Sequence, residues 1–102
     1  MGLSIEELEK KKSYLRNQKI TKSGSYADLL TDTYNCIKKL INNSDKDYCN
    51  PYDADISQYI YGNRLQLTMI RKFLYELKIM GYIEIHKAGT NREIYIIKDL
   101  DF

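Results

Sequence analysis

Apolar positions along this chain repeat with two different periods, and the change from one to the other falls at a glycine. Ile70, Phe73, Leu74, Leu77 and Met80 recur at i, i+3, i+4, i+7 and i+10, which lays one stripe along a helix spanning Arg64 to Met80. Gly81 follows, where a helix that ends in a left-handed residue needs a glycine. Beyond it Tyr82 to Lys87 alternates with period two, as does part of Glu93 to Lys98. The polar, glycine-marked stretch Ala88-Gly89-Thr90-Asn91-Arg92 between them is expected to be a hairpin tip and not strand. The pattern predicts a helix with a basic outer face, closed by glycine and followed by a two-stranded hairpin.

Upstream, Ser4 and Glu7 have the spacing of a capping box, and Ile5, Leu8 and Leu15 give a thin stripe over 5–17. Three apolar anchors bury little, so this helix must dock on its own domain or on a second copy of the chain. A polar connection from Asn17 to Ser25 leads to a second helix, capped by Ser25 with Asp28 in its first turn. Its stripe of Tyr26, Leu29, Leu30, Tyr34, Ile37, Leu40 and Ile41 marks it as a core helix, ended by Asn42-Asn43-Ser44. A short strand is expected around Tyr48-Cys49, before Pro51 forbids further pairing. Asp53 or Asp55 is expected to cap a short helix over 55–61 that buries Ile56 and Ile60, and Gly62-Asn63 turns the chain into the long helix. Leu100 or Phe102 in the tail is placed to fold back onto the core. The organisation is a basic helical arm and linker, 1–24, followed by one folded unit, 25–102.

Composition adds bounds. The chain has 102 residues, 43% hydrophobic and 29% charged, which describes a single globular domain with one modest core. No apolar run is long enough to cross a bilayer and the N-terminus lacks the layout of a signal peptide, so no membrane association and a cytoplasmic location are expected. In that setting Cys36 and Cys49 are expected to be thiols and not a disulfide, and with His86 they have no metal-ligand spacing. Ile, Lys, Asn and Tyr fill 42 positions, the skew of AT-rich coding, so the ten tyrosines carry no collective meaning.

Charge is segregated beneath a net +2. Residues 1–24 carry +3, 25–61 carry −3, 62–98 carry +4 and the tail −2. Positive charge on the long helix, the hairpin and the arm is the footprint of a nucleic-acid binder, against the plainer reading of a solvated surface. Catalysis has little to work with. His86 is the only histidine, there is no nucleophile elbow, and there is no glycine-rich phosphate loop. No enzyme activity, cofactor, metal or small-molecule ligand is expected.

Residues 25–98 resemble the winged helix-turn-helix superfamily, most clearly in Ile56-Ser57-Gln58-Tyr59-Ile60, Leu65 through Leu77, and Met80-Gly81-Tyr82-Ile83. The resemblance implies an α+β fold: a winged helix-turn-helix with a three-helix core, a C-terminal β-hairpin wing and, here, an extra N-terminal helix. The turn between its two helices reads a residue or two longer than the commonest form. More narrowly, the small size, basic first helix and AT-rich skew are similar to DNA-binding proteins of Gram-positive mobile elements. Among these are the winged-helix accessory proteins of clostridial plasmid conjugation, which bind the origin of transfer. The resemblance implies double-stranded DNA as the partner, with a repressor of a mobile-element operon as the alternative role. A homodimer is expected because Ile5, Leu8 and Leu15 need a partner surface that a symmetric second copy would supply.

The resemblance also selects residues. On the helix these are Arg64, Gln66, Thr68, Arg71, Lys72 and Tyr75, on the face that enters the major groove in that superfamily. On the wing they are Lys87, Thr90, Asn91 and Arg92, with Arg92 suited to a minor groove and Thr90-Asn91 otherwise plain turn residues. Lys10, Lys11, Lys12 and Arg16 on the arm are candidate phosphate contacts. Glu76 is expected to face phosphates badly, and Tyr75 with Ile79 makes an apolar edge that would suit a protein-interaction adaptor instead.

Overall fold

The structure is a computed structural model that describes residues 2–21, 24–89 and 91–102. Its elements in order are α1 (Ile5–Thr21), α2 (Tyr26–Asn42), β1 (Tyr48–Cys49), α3 (Asp53–Tyr61), α4 (Leu67–Ile79), β2 (Ile83–Ala88) and β3 (Asn91–Ile96). Four helices pack with a three-stranded antiparallel sheet of order β1-β3-β2, an α+β architecture.

The packing hub is α2 and not α4. It touches α1, α3, α4, β1 and β3. Its start is secured by a reciprocal capping box in which Ser25 Oγ accepts the Asp28 N–H and Asp28 accepts the Ser25 N–H. Ala27, Leu30, Tyr34, Cys36 and Ile37 are buried on one face. Against them lie all five residues of the α4 stripe, Ile70, Phe73, Leu74, Leu77 and Met80. Each such side chain contributes about 1.5–3 kcal/mol of transfer free energy, so this pairing supplies a large share of the buried core. Leu40 instead remains exposed at the far end of α2.

Helix α4 ends as its glycine requires. Gly81 sits at φ 85, its N–H bonds the Lys78 carbonyl, and the Tyr82 N–H bonds that of Leu77. This is the paired bonding of a Schellman motif, and it turns Tyr82 into the core as the chain enters β2.

Four boundaries differ from expectation. Helix α1 runs on to Thr21, through the start of the expected polar connection. Helix α4 begins at Leu67 and not at Arg64, because the Ser57-centred turn takes up the residues before it. The hairpin tip and the start of α3 also shift. At the hairpin tip, Ala88, Asn91 and Arg92 are strand residues, with Ala88 opposite Asn91 and Lys87 opposite Arg92. The ladder uses backbone groups only, so polar side chains near the end of a hairpin do not stop it, and Gly89 at φ 64 lets the chain reverse. At the start of α3 neither aspartate is the cap. Tyr52 holds that position and the Asp55 carboxylate accepts its N–H at 2.9 Å, while Asp53 faces elsewhere.

Helix α1 docks on its own domain. Leu15 is buried, Leu3 and Leu8 pack against the core, and the Leu3 N–H bonds the Ile79 carbonyl. The stripe that called for a partner surface thus finds one within the chain, although Ile5, Tyr14 and Ile20 stay exposed. The tail completes the corner. Leu100 and Phe102 return to the core, Phe102 edge-on to Tyr82 at 5.7 Å, and Asp101 bonds the Tyr82 hydroxyl.

Candidate nucleic-acid interface

Helices α3 and α4 are joined by a turn built around a buried serine. Ser57 Oγ donates to the Asn63 carbonyl at 2.7 Å and accepts the Gln66 N–H at 3.1 Å, while Asn63 Oδ1 accepts the Leu65 N–H. Gly62, at φ 74, begins the turn. Arg64 reaches back to Asp55 at 2.9 Å, which ties the turn to α3. The backbone bond to Tyr52, with the Arg64 guanidinium beside it, holds the Asp55 carboxyl below its usual range. Gln66 stands at the N-terminus of α4, and its side chain makes no capping bond.

Thr68, Arg71, Lys72 and Tyr75 line one exposed face of α4. Lys72 extends over the Tyr26 ring, with Nζ 5.3 Å from its centre. Two side chains expected to spoil this face do not lie on it. Glu76 is turned toward α1 and paired with Lys11 at 2.6 Å, and Ile79 packs against the core beneath the N-terminal segment. The apolar edge reduces to Tyr75.

The β2–β3 hairpin joins this face through one carboxylate. Asp53 Oδ2 accepts from Arg71 Nε at 3.1 Å, and its Oδ1 lies 2.7 Å from Arg92 Nη1 as an electrostatic contact, not a directed hydrogen bond. Arg92 also donates to the Pro51 carbonyl at 2.9 Å. Arg92 is therefore not a free finger at a hairpin tip. Its side chain is 22% exposed, against 67% for Arg71. The ladder explains why. Arg92 lies across from Lys87, as Ile94 lies across from Ile85 and Ile96 from Ile83, so it continues the core-facing row of the sheet.

Arg71, Lys87, Asn91 and Arg92 thus converge with Asn50, Tyr52 and Asp53 around an open groove of ≈ 670 Å³. Lys87 and Asn91 are exposed at its rim. Thr90 lies outside the described residues. On the opposite face of the sheet His86 stands edge-on to Tyr95 at 5.1 Å, and Tyr95 packs on Tyr48, so His86 does not join the groove.

The arm residues are spent differently. Lys10 pairs with Glu6 at 3.6 Å and Lys11 with Glu76. Lys12 is buried between Asp101 at 2.7 Å and Glu9 at 3.6 Å, and Arg16 donates to the Asp101 carbonyl at 2.6 Å. Lys12 is thus a structural cation and not a phosphate contact, because its charge is already matched inside the fold. Cys36 and Cys49 are buried thiols, each pushed up to about 11 by loss of water. Among the described residues no cluster of His, Cys, Asp or Glu is arranged to hold a metal, and no helix is long and apolar enough to cross a membrane.

Sequence reasoning missed Asp53, Ser57 and Asp101. Ser57 lies within Ile56-Ser57-Gln58-Tyr59-Ile60, and the position of Asp53 at the start of a helix suggests only a cap. For Asp101 nothing in the local pattern signals a partner 89 residues away. Comparison with protein-family models, with curated proteins and with solved structures finds no match to this chain.

Proposed function

We propose that this chain is a winged helix-turn-helix protein that binds double-stranded DNA with sequence preference. In this reading α3, the Ser57-braced turn and α4 are the helix-turn-helix, β2 and β3 are the wing, and α1 is an added brace. The observation that carries it is the groove between wing and α4, where Arg71, Lys87, Asn91 and Arg92 meet on one open, polar surface. Small-molecule sites are enclosed and mostly apolar, whereas a cationic, open groove beside an exposed helix face fits a phosphodiester backbone and base edges.

The role we assign, on resemblance, is an accessory protein of plasmid conjugation that marks the origin of transfer. Selection of bound sequences from random duplexes, followed by mapping onto the encoding element, tests it. Clustered repeats near a transfer origin are the expected result, and sites within a promoter would favour the repressor role instead. Binding is expected to weaken with salt by a log–log slope of about −0.9 for each phosphate neutralised, so five contacts give roughly −4 to −5. An undetectable or salt-insensitive interaction would sink the DNA-binding reading and leave an adaptor with Tyr75 as its contact.

A further inference from the structure

The groove holds two arginines and a single carboxylate that touches both. We infer that Asp53 is a specificity-determining residue, which keeps Arg71 and Arg92 from gripping phosphates indiscriminately. The inference rests on the DNA-binding reading above and goes beyond it in assigning selectivity to an acidic residue that need not touch DNA.

The geometry has three parts. Asp53 stands in the first turn of α3, where the helix dipole stabilises its charge, and its side chain is only 16% exposed. It engages one guanidinium from the helix and one from the wing, and Arg92 is further fixed by the Pro51 carbonyl. Among the described residues neither Lys72 nor Lys87, both exposed on the same surface, forms an ion pair with Asp53, so they supply attraction that Asp53 does not restrain.

Non-specific binding to DNA is almost wholly phosphate neutralisation, so an internal carboxylate that competes for the arginines suppresses it. A preferred sequence adds base contacts that a random one lacks, and these offset the cost of drawing an arginine away from Asp53. Selectivity then arises from weakening the wrong complexes more than the right one.

Asp53→Asn, made in the full chain, tests this against a random-sequence duplex and the duplex enriched by selection, both titrated across salt. One additional phosphate neutralised is worth about five-fold in affinity at 0.15 M salt and steepens the slope by about 0.9. We expect that gain on the random duplex and a smaller one on the enriched duplex, so the preference narrows. Asp53→Glu, which keeps the charge, should restore most of the wild-type preference. In the free protein, the Arg71 Nε–H resonance should exchange slowly with water in the wild type and quickly in Asp53→Asn.

Equal changes on both duplexes, or none, would show that Asp53 only braces α3 against the sheet. Equally rapid Arg71 Nε–H exchange in wild type and variant would also overturn the inference. A wild-type chain that binds no duplex overturns the DNA-binding reading itself, a result distinguishable from failure of the variant alone.

Discussion

Two corners of this molecule gather positive charge, and they use it in opposite ways. Where α1 meets the tail, Lys11, Lys12 and Arg16 each have an acidic residue or a carbonyl in reach, and Lys12 is 7% exposed. Where the β2–β3 hairpin meets α4, Arg71 and Arg92 share Asp53, and Lys72, Lys87 and Asn91 remain exposed around them. In sequence the two regions look alike, at +3 and +4. In the fold the first is a neutralised joint and the second keeps surplus charge on a concave surface. Counting charges along a chain locates candidates, whereas the stoichiometry of their partners separates a joint from a binding surface.

The largest effect is expected at the joint. Asp101 meets Lys12, Arg16 and the Tyr82 hydroxyl at once. Asp101→Ala would leave the buried Lys12 ammonium with only Glu9, at 3.6 Å. Removing one partner of such a pair is destabilising because it leaves the other charge uncompensated, and the partial exposure of Asp101 moderates the loss. The measurement is the urea midpoint, together with the affinity of the folded fraction for duplex. A lower midpoint with unchanged affinity is the expected outcome, and an unchanged midpoint would show the joint to be ornamental.

The same residue gives the joint a pH signature. Burial works to raise the Asp101 carboxyl, but the hydrogen bonds from Lys12 and Tyr82 and the surrounding positive charge outweigh it and hold the group below its usual range. A carboxyl depressed in the folded state contributes stability above the ordinary carboxylate pKa of about 3.9, and that contribution is lost as pH falls through the folded value. Stability should therefore decline from about pH 4 downward, and the decline should be shallower in Asp101→Asn.

Much of this architecture was readable from residue order, and the exceptions have a common cause. The α4 stripe, the Ser25 cap, Gly81 and even the two-residue strand Tyr48–Cys49 are local signals, and each appears where the pattern places it. The hairpin tip is narrower than its polarity suggests, because side-chain polarity does not forbid backbone pairing. What local pattern does not carry is the choice of ionic partner. Arg92 could have been placed on the core-facing row by counting back in twos from Ile96 and Ile94, yet nothing local identifies Asp53 as its contact. The pairings of Lys12 with Asp101 and of Arg71 with Asp53 likewise exist only once distant segments have packed.

At the groove, the next effect in size divides readers from holders. Asn91 is exposed at the start of β3, and Lys72 lies along α4 with its ammonium over Tyr26. An amide that pairs with a base edge is worth about 1–3 kcal/mol of discrimination, whereas a lysine on phosphate favours every sequence alike. Asn91→Ala is expected to relax sequence preference by that amount, and Lys72→Ala to weaken preferred and random duplexes by similar factors. The competing outcome is a loss of preference in Lys72→Ala with Asn91→Ala silent, which would move base reading from the wing to the helix.

The smallest effect is the one that most directly separates the two corners. Lys10 belongs to the basic run of α1, is 78% exposed, and pairs only loosely with Glu6 on the same helix. A surface pair of that kind contributes no more than about 0.5 kcal/mol to stability, so Lys10→Ala should leave the urea midpoint almost unmoved. If the arm is solely a brace, duplex affinity at moderate salt should also stay within about two-fold and the salt slope should not change. A slope shallower by about 0.9 would instead mean that Lys10 neutralises a phosphate. The arm would then belong to the binding surface even though Lys11 and Lys12 are committed within the fold, and the division between joint and groove would fail at its most exposed residue.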